Sequence, residues 1–208
     1  MVTDPMLTLR NSPASPFVRK VRIAAAVLGL EREITIEAAD TMSPTDTVRQ
    51  QNPLGKIPAL VLEDGTVLFD SRVILDYLDH RAGGGRIVPT DPTARFAALR
   101  LQALADGLMD ASILLIYEGR WRPTEKHEQK WVEHQAGKVA RALDALEKAP
   151  PVLDAPPDVG RIALACALGY RDFRFAGSWR KDHPRLVAWL DNFSAKVPAY
   201  AATTPPPA

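Results

Sequence analysis

Cysteine is almost absent from this chain of 208 residues, in which Cys166 is the single one. One cysteine excludes an intramolecular disulfide, a CxxC redox pair and a zinc cluster built on cysteines. This scarcity is typical of proteins that fold in a reducing compartment. We therefore expect a cytoplasmic location.

An excess of charge is absent as well, since 26 Lys and Arg stand against 25 Asp and Glu, giving a formal net charge of +1. The charges form no long run of one sign, so we expect no nucleic acid as a partner. Hydrophobic residues make up 46% of the chain, which excludes a disordered or low-complexity protein. The length fits one large domain or two small ones.

Long hydrophobic runs are also missing. The longest notable uncharged apolar run is Ile162 to Tyr170, nine residues, whereas about 20 residues are needed to span a bilayer. Asp4 and Arg10 fall where a signal peptide would need its apolar core. We therefore expect neither secretion nor a membrane partner.

Metal-binding patterns are missing too, because the histidines form neither an HxH nor an HExxH pattern. We expect no metal site, and ordinary surface positions for these side chains. They are His80, His127, His134 and His183.

The hydrophobic period changes repeatedly within the first 82 residues, which is typical of a mixed α/β domain. Short apolar runs predict strands over Met6–Arg10 and Glu33–Glu37. Helical spacing from Phe17 to Leu28 predicts a helix between them. This β-α-β unit requires parallel strands with a right-handed crossover.

A hairpin and a helix complete the first part of the chain. Two further apolar runs within Pro58–Phe69 predict the hairpin, with Asp64-Gly65 as a type I′ turn. Residues 41–56 connect it to the β-α-β unit and leave room for a short helix. Asp70-Ser71 then opens a helix that runs to about Arg81.

Everything after a breaker-rich segment follows a helical period. The segment contains three glycines at 83–85 and Pro89-Thr90-Asp91-Pro92. A nearly all-apolar helix around Ile162–Phe173 should lie in the middle of the bundle. We expect four parts: an α/β domain at 1–82, a linker at 83–92, an all-α domain at 93–200 and a loose tail at 201–208.

Four local matches indicate that the chain resembles a glutathione S-transferase, and a small bacterial branch with Ser at the active-site position in particular. The most specific match is Asn52-Pro53-Leu54-Gly55-Lys56-Ile57-Pro58 directly before a hairpin. The others are Ser15 to Val21 at the first helix, Asp70-Ser71 at the third, and the stretch Ile162–Tyr170. The resemblance implies a thioredoxin-like α/β domain followed by an all-helical bundle.

The same resemblance implies glutathione as co-substrate, no metal, a hydrophobic electrophile as second substrate, and a homodimer acting in detoxification. Ser15 is the implied catalytic group, which would donate a hydrogen bond to the glutathione sulfur. Ser12 is a competitor in the same turn. A Ser before a Pro is also an ordinary helix start without chemistry, an alternative that spacing alone favours.

The resemblance also implies where glutathione binds. A cis bond before Pro58 would turn the backbone of Ile57 toward the cysteinyl part of the tripeptide. Asp70 and Ser71 would hold its γ-glutamyl end, although both residues are equally good helix caps. The implied glutathione contacts are Phe17, Lys56, Ile57, Pro58, Asp70 and Ser71.

The electrophile pocket is expected between the domains, with Tyr117, Trp121 and Phe173 as lining residues and Arg120 or Arg174 attracting an anionic electrophile. Such aromatics are also common in helix cores.

One departure from the family concerns the helix that opens at Asp158, because Arg161 stands where an acidic capping partner is usual.

Three functions remain open: a transferase that conjugates glutathione, a glutathione-dependent isomerase, and a non-catalytic binding or regulatory protein with the same fold.

Overall fold

The computed structural model describes residues 6–153 and 156–206. A four-stranded sheet lies in the first part, built from β1 (Leu7–Asn11), β2 (Ile34–Ala38), β3 (Ala59–Val61) and β4 (Val67–Leu68). The strand order is β2-β1-β3-β4, with β2 parallel to β1 and the other pairs antiparallel. The predicted parallel pair followed by a hairpin is therefore confirmed.

Three helices accompany the sheet: α1 (Pro16–Leu28), α2 (Val48–Gln51) and α3 (Ser71–Arg81). Helix α1 connects the parallel strands and ends at Gly29, whose left-handed φ of 78° suits a glycine cap. Its Val21 and Ala24 are fully buried in one core with Leu7 and Leu9 of β1. The helical spacing in this segment thus marks the face that packs on the sheet.

The hairpin turn differs from the predicted type I′ form, which needs a positive φ at both Asp64 and Gly65. Of these two residues, Gly65 alone has one, at 83°. The amide of Gly65 donates to the Leu62 carbonyl at 3.0 Å, and the amide of Leu62 donates to the Thr66 carbonyl at 2.8 Å. The loop therefore has three residues and ends on a left-handed glycine. The predicted two-residue type I′ turn is wrong by one residue.

The segment after α3 is held by one buried carboxylate. Asp79, 3% exposed, accepts hydrogen bonds from the backbone amides of Gly85, Arg86 and Ile87 at 2.7 to 2.9 Å. Positive φ values at the glycines 83–85 turn the chain back toward this carboxylate. The breaker-rich segment is an ordered connection.

In the described part of the remaining chain, the helices are α4 (Pro92–Trp121), α5 (Gln129–Lys148), α6 (Val159–Phe175), α7 (Pro184–Lys196) and α8 (Pro198–Ala202). Helix α6 is buried along most of its length, as its apolar sequence predicts. Gly160 lets it approach α4 closely, since an added Cβ would lie 2.5 Å from the Ala98 carbonyl oxygen. The predicted succession of an α/β region and an all-α region is confirmed.

At the N-terminus of α6, Arg161 occupies the position where an acidic capping partner is usual, and it contacts the capping residue Asp158. The Asp158 carboxylate caps the helix and accepts a hydrogen bond from the Arg161 amide at 2.9 Å. The Arg161 guanidinium pairs with the same carboxylate. The cation therefore contacts the cap itself.

Two expectations about the C-terminal end are wrong. Ala201 and Ala202 belong to α8. Thr203 is 7% exposed, and its hydroxyl accepts a hydrogen bond from Arg19 Nε at 3.2 Å. Residues 201–203 are therefore not a loose tail. His183 is 8% exposed rather than a surface residue, and its Nδ1 lies 2.7 Å from the Trp179 carbonyl oxygen.

Candidate functional site

The register of the sheet places three chain segments at one end of it. β1 pairs Arg10 with Ala59 of β3, so the turn after β1 and the residue before β3 lie side by side. β3 pairs Leu60 with Leu68 of β4, which sets the start of α3 opposite the start of β3. The N-termini of α1 and α3 and the loop before β3 therefore share one edge.

Ser15 is the N-cap of α1. Its Oγ accepts a hydrogen bond from the Val18 amide at 3.3 Å, and its own amide donates to the Ser12 carbonyl at 3.0 Å. A hydroxyl that accepts one bond still has its proton to donate. Pro16 at the first helical position leaves no amide there. Ser12 contributes a backbone carbonyl to the turn, and Ser15 contributes the hydroxyl at the helix end.

The loop before β3 is shaped by a buried side chain. Asn52, 2% exposed, donates from Nδ2 to the Lys56 carbonyl at 2.8 Å and accepts from the Leu54 amide at 3.0 Å. Gly55 has a φ of 60°, which favours glycine at this bend. These contacts explain the N-P-x-G-K-x-P spacing as a loop geometry.

The bond between Ile57 and Pro58 is cis, as the resemblance implies. Pro58 is buried and Lys56 is exposed. Within the described residues, neither the amide nor the carbonyl of Ile57 has an intramolecular hydrogen bond. An extended peptide laid along this loop would meet one free donor and one free acceptor.

The start of α3 combines an exposed and a buried residue. Asp70 caps the helix by accepting from the Arg72 amide at 2.9 Å, and its side chain is 58% exposed. Ser71 is 2% exposed, and its Oγ accepts a hydrogen bond from Lys20 Nζ at 3.1 Å. The peptide bond between Phe69 and Asp70 is also cis.

Beneath this helix start lie buried charges that no sequence motif indicated. Lys20 of α1 is fully buried, and its Nζ lies 2.6 Å from Asp106 Oδ1 of α4. Arg72 Nε lies 3.3 Å from the other oxygen of Asp106, which links the buried pair to the exposed Arg72 side chain. One signal was available: Lys20 lies between Phe17 and Ala24 on the apolar stripe of α1.

Burial and charge act in opposite directions on Asp106. Burial is the largest cause and raises the pKa of its carboxyl, while the neighbouring Lys20 ammonium and the Arg72 charge lower it. The net pKa is above its usual range. The counter-charge of Lys20 is therefore what favours the ionised form in this position.

The aromatic residues expected to line the electrophile pocket are brought together only in part. The charges of Tyr117, Arg120 and Arg174 all act on Tyr170, a residue that sequence analysis did not select. The Phe173 ring lies under Arg174, 4.2 Å from its guanidinium carbon. Trp121 is 62% exposed and makes no ring contact with this group in the described part of the chain.

Two cavities lie away from the edge formed by the helix N-termini. One of about 540 Å³ opens at the other end of α1, where Ala26 and Val27 meet Leu153 and Ala199. Another of about 420 Å³ lies between Arg19 and Arg180, and Phe173 belongs to its lining. The lining of neither cavity includes Ser15.

Cys166 is fully buried, and burial raises the pKa of its thiol to about 12. A thiol with this pKa stays protonated at neutral pH and is a poor nucleophile. Across residues 6–153 and 156–206, no three His, Cys, Asp or Glu side chains are grouped to hold a metal ion. No helix in the same ranges is long and apolar enough to cross a bilayer.

Comparison with known proteins assigns both parts of the chain. The family model described as the glutathione S-transferase N-terminal domain matches residues 14–81, and that of the C-terminal domain matches residues 129–192. The uncharacterized GST-like protein YibF of Escherichia coli K12 is 35% identical over 213 residues, covering 97% of this chain and all of YibF.

Solved structures of glutathione transferase family members are similar to this chain over most of its length. A glutathione transferase family member from Pseudomonas fluorescens Pf-5, with bound glutathione, is 47% identical with a TM-score of 0.89, covering 96% of this chain and 99% of its own. A second structure from that strain holds S-(propanoic acid)-glutathione, at 45% identity, a TM-score of 0.84, and coverage of 96% and 100%. The maleylacetoacetate isomerase of Pseudomonas aeruginosa is more distant, at 27% identity over 61% of this chain and 63% of its own.

Proposed function

Because the chain belongs to the glutathione S-transferase family, we propose that it binds glutathione and activates the thiol for conjugation to an electrophilic small molecule. The observation that carries this proposal is the shared edge: the Ser15 hydroxyl at one helix start, the free backbone groups of Ile57 and the start of α3 lie along it. A tripeptide with a thiol at its centre fits that order of groups.

Each part of glutathione has a complementary group in this arrangement. The backbone of Ile57 pairs with the cysteinyl residue, because neither its amide nor its carbonyl has a hydrogen bond within the described residues. The exposed Asp70 meets the γ-glutamyl ammonium, and the exposed Lys56 attracts the glycyl carboxylate. Phe17 contributes apolar contact at the first turn of α1.

Ser71 is the anchor for the γ-glutamyl carboxylate. Its Oγ already accepts a hydrogen bond from the buried Lys20 ammonium, so the hydroxyl proton is directed away from Lys20 and is free for an anion. The first amides of α3 add donors and a partial positive charge at the same place. Lys20 thus orients the hydroxyl without itself reaching the surface.

Activation of the thiol is a question of pKa. A free cysteine thiol has a pKa of about 8.5, so only a few per cent is thiolate at neutral pH. Lowering it by about 2 units takes roughly 2.7 kcal/mol of preferential stabilisation of the anion. One hydrogen bond to a charged group contributes about 1.5–3 kcal/mol and a helix N-terminus about 0.3–1 kcal/mol. Ser15 at the start of α1 therefore supplies nearly all that is needed.

Other residue types do not fit the role. Cys166 is buried with a raised pKa, and the four tyrosines lie outside the turn between β1 and α1, at positions 77, 117, 170 and 200. A glutathione-dependent isomerase is the second candidate, favoured by the likeness to the maleylacetoacetate isomerase. The bound S-(propanoic acid)-glutathione in the Pseudomonas fluorescens relative favours conjugation, because that ligand carries a group on the sulfur.

We expect calorimetry to record saturable binding of glutathione at millimolar concentration or below, since the helix starts and the loop are complete in one chain. A panel of model electrophiles and a cis-alkene diacid, each assayed with and without glutathione, separates conjugation from isomerisation. Absence of binding at millimolar glutathione would refute the proposal. Binding without turnover on any substrate would leave a non-catalytic protein.

We also propose a homodimer in which the α/β part of each subunit lies against the helical part of the other. Exposed apolar side chains occur on both parts: Leu54 and Phe96 are each 69% exposed, and Leu104 follows Phe96 on one face of α4. Analytical ultracentrifugation should record twice the chain mass of 22.8 kDa. Phe96→Asp should yield monomer, whereas Met42→Asp, an equally polar change on an exposed loop, should not.

A further inference from the structure

Three arginines lie close to one buried tyrosine where the C-terminal ends of α4 and α6 meet. Tyr170 is 6% exposed, and the charges of Arg120 from α4 and Arg174 from α6 both act on its hydroxyl. Arg171 interacts with Tyr170 as well and lies 3.5 Å over the Phe175 ring. The hydroxyl therefore sits in a region of concentrated positive charge.

Within residues 6–153 and 156–206, this positive charge is not matched by a carboxylate. Among the described residues, none of the three guanidinium groups makes an ion pair with a carboxylate. Arg171 is 9% exposed, and its buried Nε and Nη1 lack hydrogen-bond partners, as does the buried Nε of Arg174. Arg171 is the buried cation of the three, and a buried guanidinium whose nitrogens lack partners is costly, so this arrangement suits a site that an anion completes.

The Tyr170 hydroxyl remains a donor at neutral pH. Burial raises the pKa of Tyr170, which keeps its proton in place. Tyr117 lies beside Arg120, whose guanidinium carbon is 5.0 Å from the ring centre. Hydroxyl and guanidinium donors together match the oxygens of a carboxylate.

Helix packing connects this cluster to the proposed sulfur position. Gly169, the neighbour of Tyr170, lies so close to α1 that an added Cβ would be 2.5 Å from Arg19 Nη1. Ser15 caps α1 four residues before Arg19, about 6 Å along the helix axis. Helix α6, which carries Tyr170 and Arg174, therefore packs against the helix whose N-terminus holds Ser15.

We propose that the electrophile conjugated by this protein carries a carboxylate, which the guanidinium groups of Arg120, Arg171 and Arg174 bind beside Tyr117 and Tyr170. This proposal rests on the proposed transferase function and specifies its substrate class. The ligands are small acids with an electrophilic carbon next to the carboxylate, such as 2-halo acids.

The reaction balances without any further reagent. The thiolate of glutathione attacks C2 of a 2-chloro acid, the carbon–sulfur bond forms, and the carbon–chlorine bond breaks with both electrons leaving on chloride. The carboxylate stays ionised throughout, and the thiol proton has already gone to solvent. Because a carboxylate next to the reacting carbon repels an approaching thiolate, neutralisation by two or three guanidinium groups favours this step.

A matched pair of conjugates tests the proposal without relying on turnover. S-(1-carboxyethyl)glutathione, the product of attack on a 2-halopropanoate, and its neutral amide, S-(1-carbamoylethyl)glutathione, have nearly the same shape and differ in charge. We expect calorimetry to give an affinity for the acid roughly tenfold or more above that for the amide, as a charge-assisted pair warrants. Equal affinities would overturn the proposal.

Variants assign the preference to the arginines. Arg174→Gln and, separately, the exposed Arg120→Gln should each reduce the acid-to-amide affinity ratio toward one. Lys130→Gln removes an exposed cation from α5 and should keep the ratio of the parent chain. If both arginine variants keep the full ratio while remaining folded, the carboxylate is bound elsewhere and the proposal is wrong.

Binding of glutathione itself distinguishes a failure of this proposal from a failure of the transferase proposal on which it rests. If glutathione and both conjugates bind but the acid has no advantage, the substrate class is wrong and the transferase proposal stands. If glutathione and both conjugates all fail to bind, the proposed function fails and the substrate class fails with it. Turnover of 2-chloropropanoate against 2-chloropropanamide, each relative to its uncatalysed rate, should favour the acid in the same way.

Discussion

Replacing Ser15 with Ala should lower kcat roughly 10- to 100-fold, the range of one hydrogen bond to a charged group. The KM for glutathione should change little, because the hydroxyl acts on the sulfur anion rather than on the rest of the bound tripeptide. Steady-state kinetics with a model electrophile measures both values. Equal turnover in the variant would assign the role to Ser12 or to the helix N-terminus alone.

Two matched variants separate chemistry from helix capping. Ser15→Asp keeps a residue that caps as well as Ser, but it places a negative charge against the thiolate, so we expect a stable and nearly inactive protein. Ser12→Ala removes the competing hydroxyl one turn earlier and should retain most of the turnover. Low activity in Ser12→Ala with normal activity in Ser15→Asp would reverse the assignment.

Replacing Lys20 with Met should reduce the free energy of unfolding by about 3–5 kcal/mol, because Asp106 is left as a buried charge whose remaining cation is the half-exposed Arg72. The midpoint of urea denaturation measures this loss. Lys56→Met changes an exposed lysine and should cost no more than about 0.5 kcal/mol. A Lys20→Met loss as small as that of Lys56→Met would show that the buried pair contributes little.

A double variant and the pH dependence test the same pair independently. Lys20→Met combined with Asp106→Leu removes both charges and should recover most of the stability. Burial already raises the pKa of Asp106, and loss of Lys20 raises it further, so the folded variant binds this proton more tightly than the unfolded chain. The difference in stability between Lys20→Met and the parent should therefore narrow as the pH falls from neutrality.

The architecture was largely predictable from the sequence because the hydrophobic period changes where the structure changes. Short runs predicted the strands, the spacing from Phe17 to Leu28 predicted α1, and the apolar stretch from Ile162 predicted the buried α6. Local composition did not predict the type of the hairpin turn, since Asp64-Gly65 suits several turn types and the backbone pairing decides among them. Local composition also did not predict the burial of Thr203, which depends on a contact with Arg19 near the other end of the chain.

The candidate site was predictable only where its groups are local. Ser15, Ile57-Pro58 and Asp70-Ser71 each lie in a short segment that matches the family locally, so the resemblance identified them as candidates although spacing alone did not. The pair of Lys20 and Asp106 joins residues 86 apart along the chain, and the arginines around Tyr170 come from two helices. Such clusters depend on helix packing, which no single segment records.

The central claim is that the hydroxyl of Ser15 stabilises the glutathione thiolate. Titration of the ultraviolet absorbance of the thiolate in the binary complex measures the pKa of the bound thiol directly. The account predicts a pKa about 2 units below the free value of about 8.5 in the parent protein, and a return toward the free value in Ser15→Ala. A bound thiol with the free pKa, or a lowered pKa that survives the loss of the hydroxyl, would contradict it.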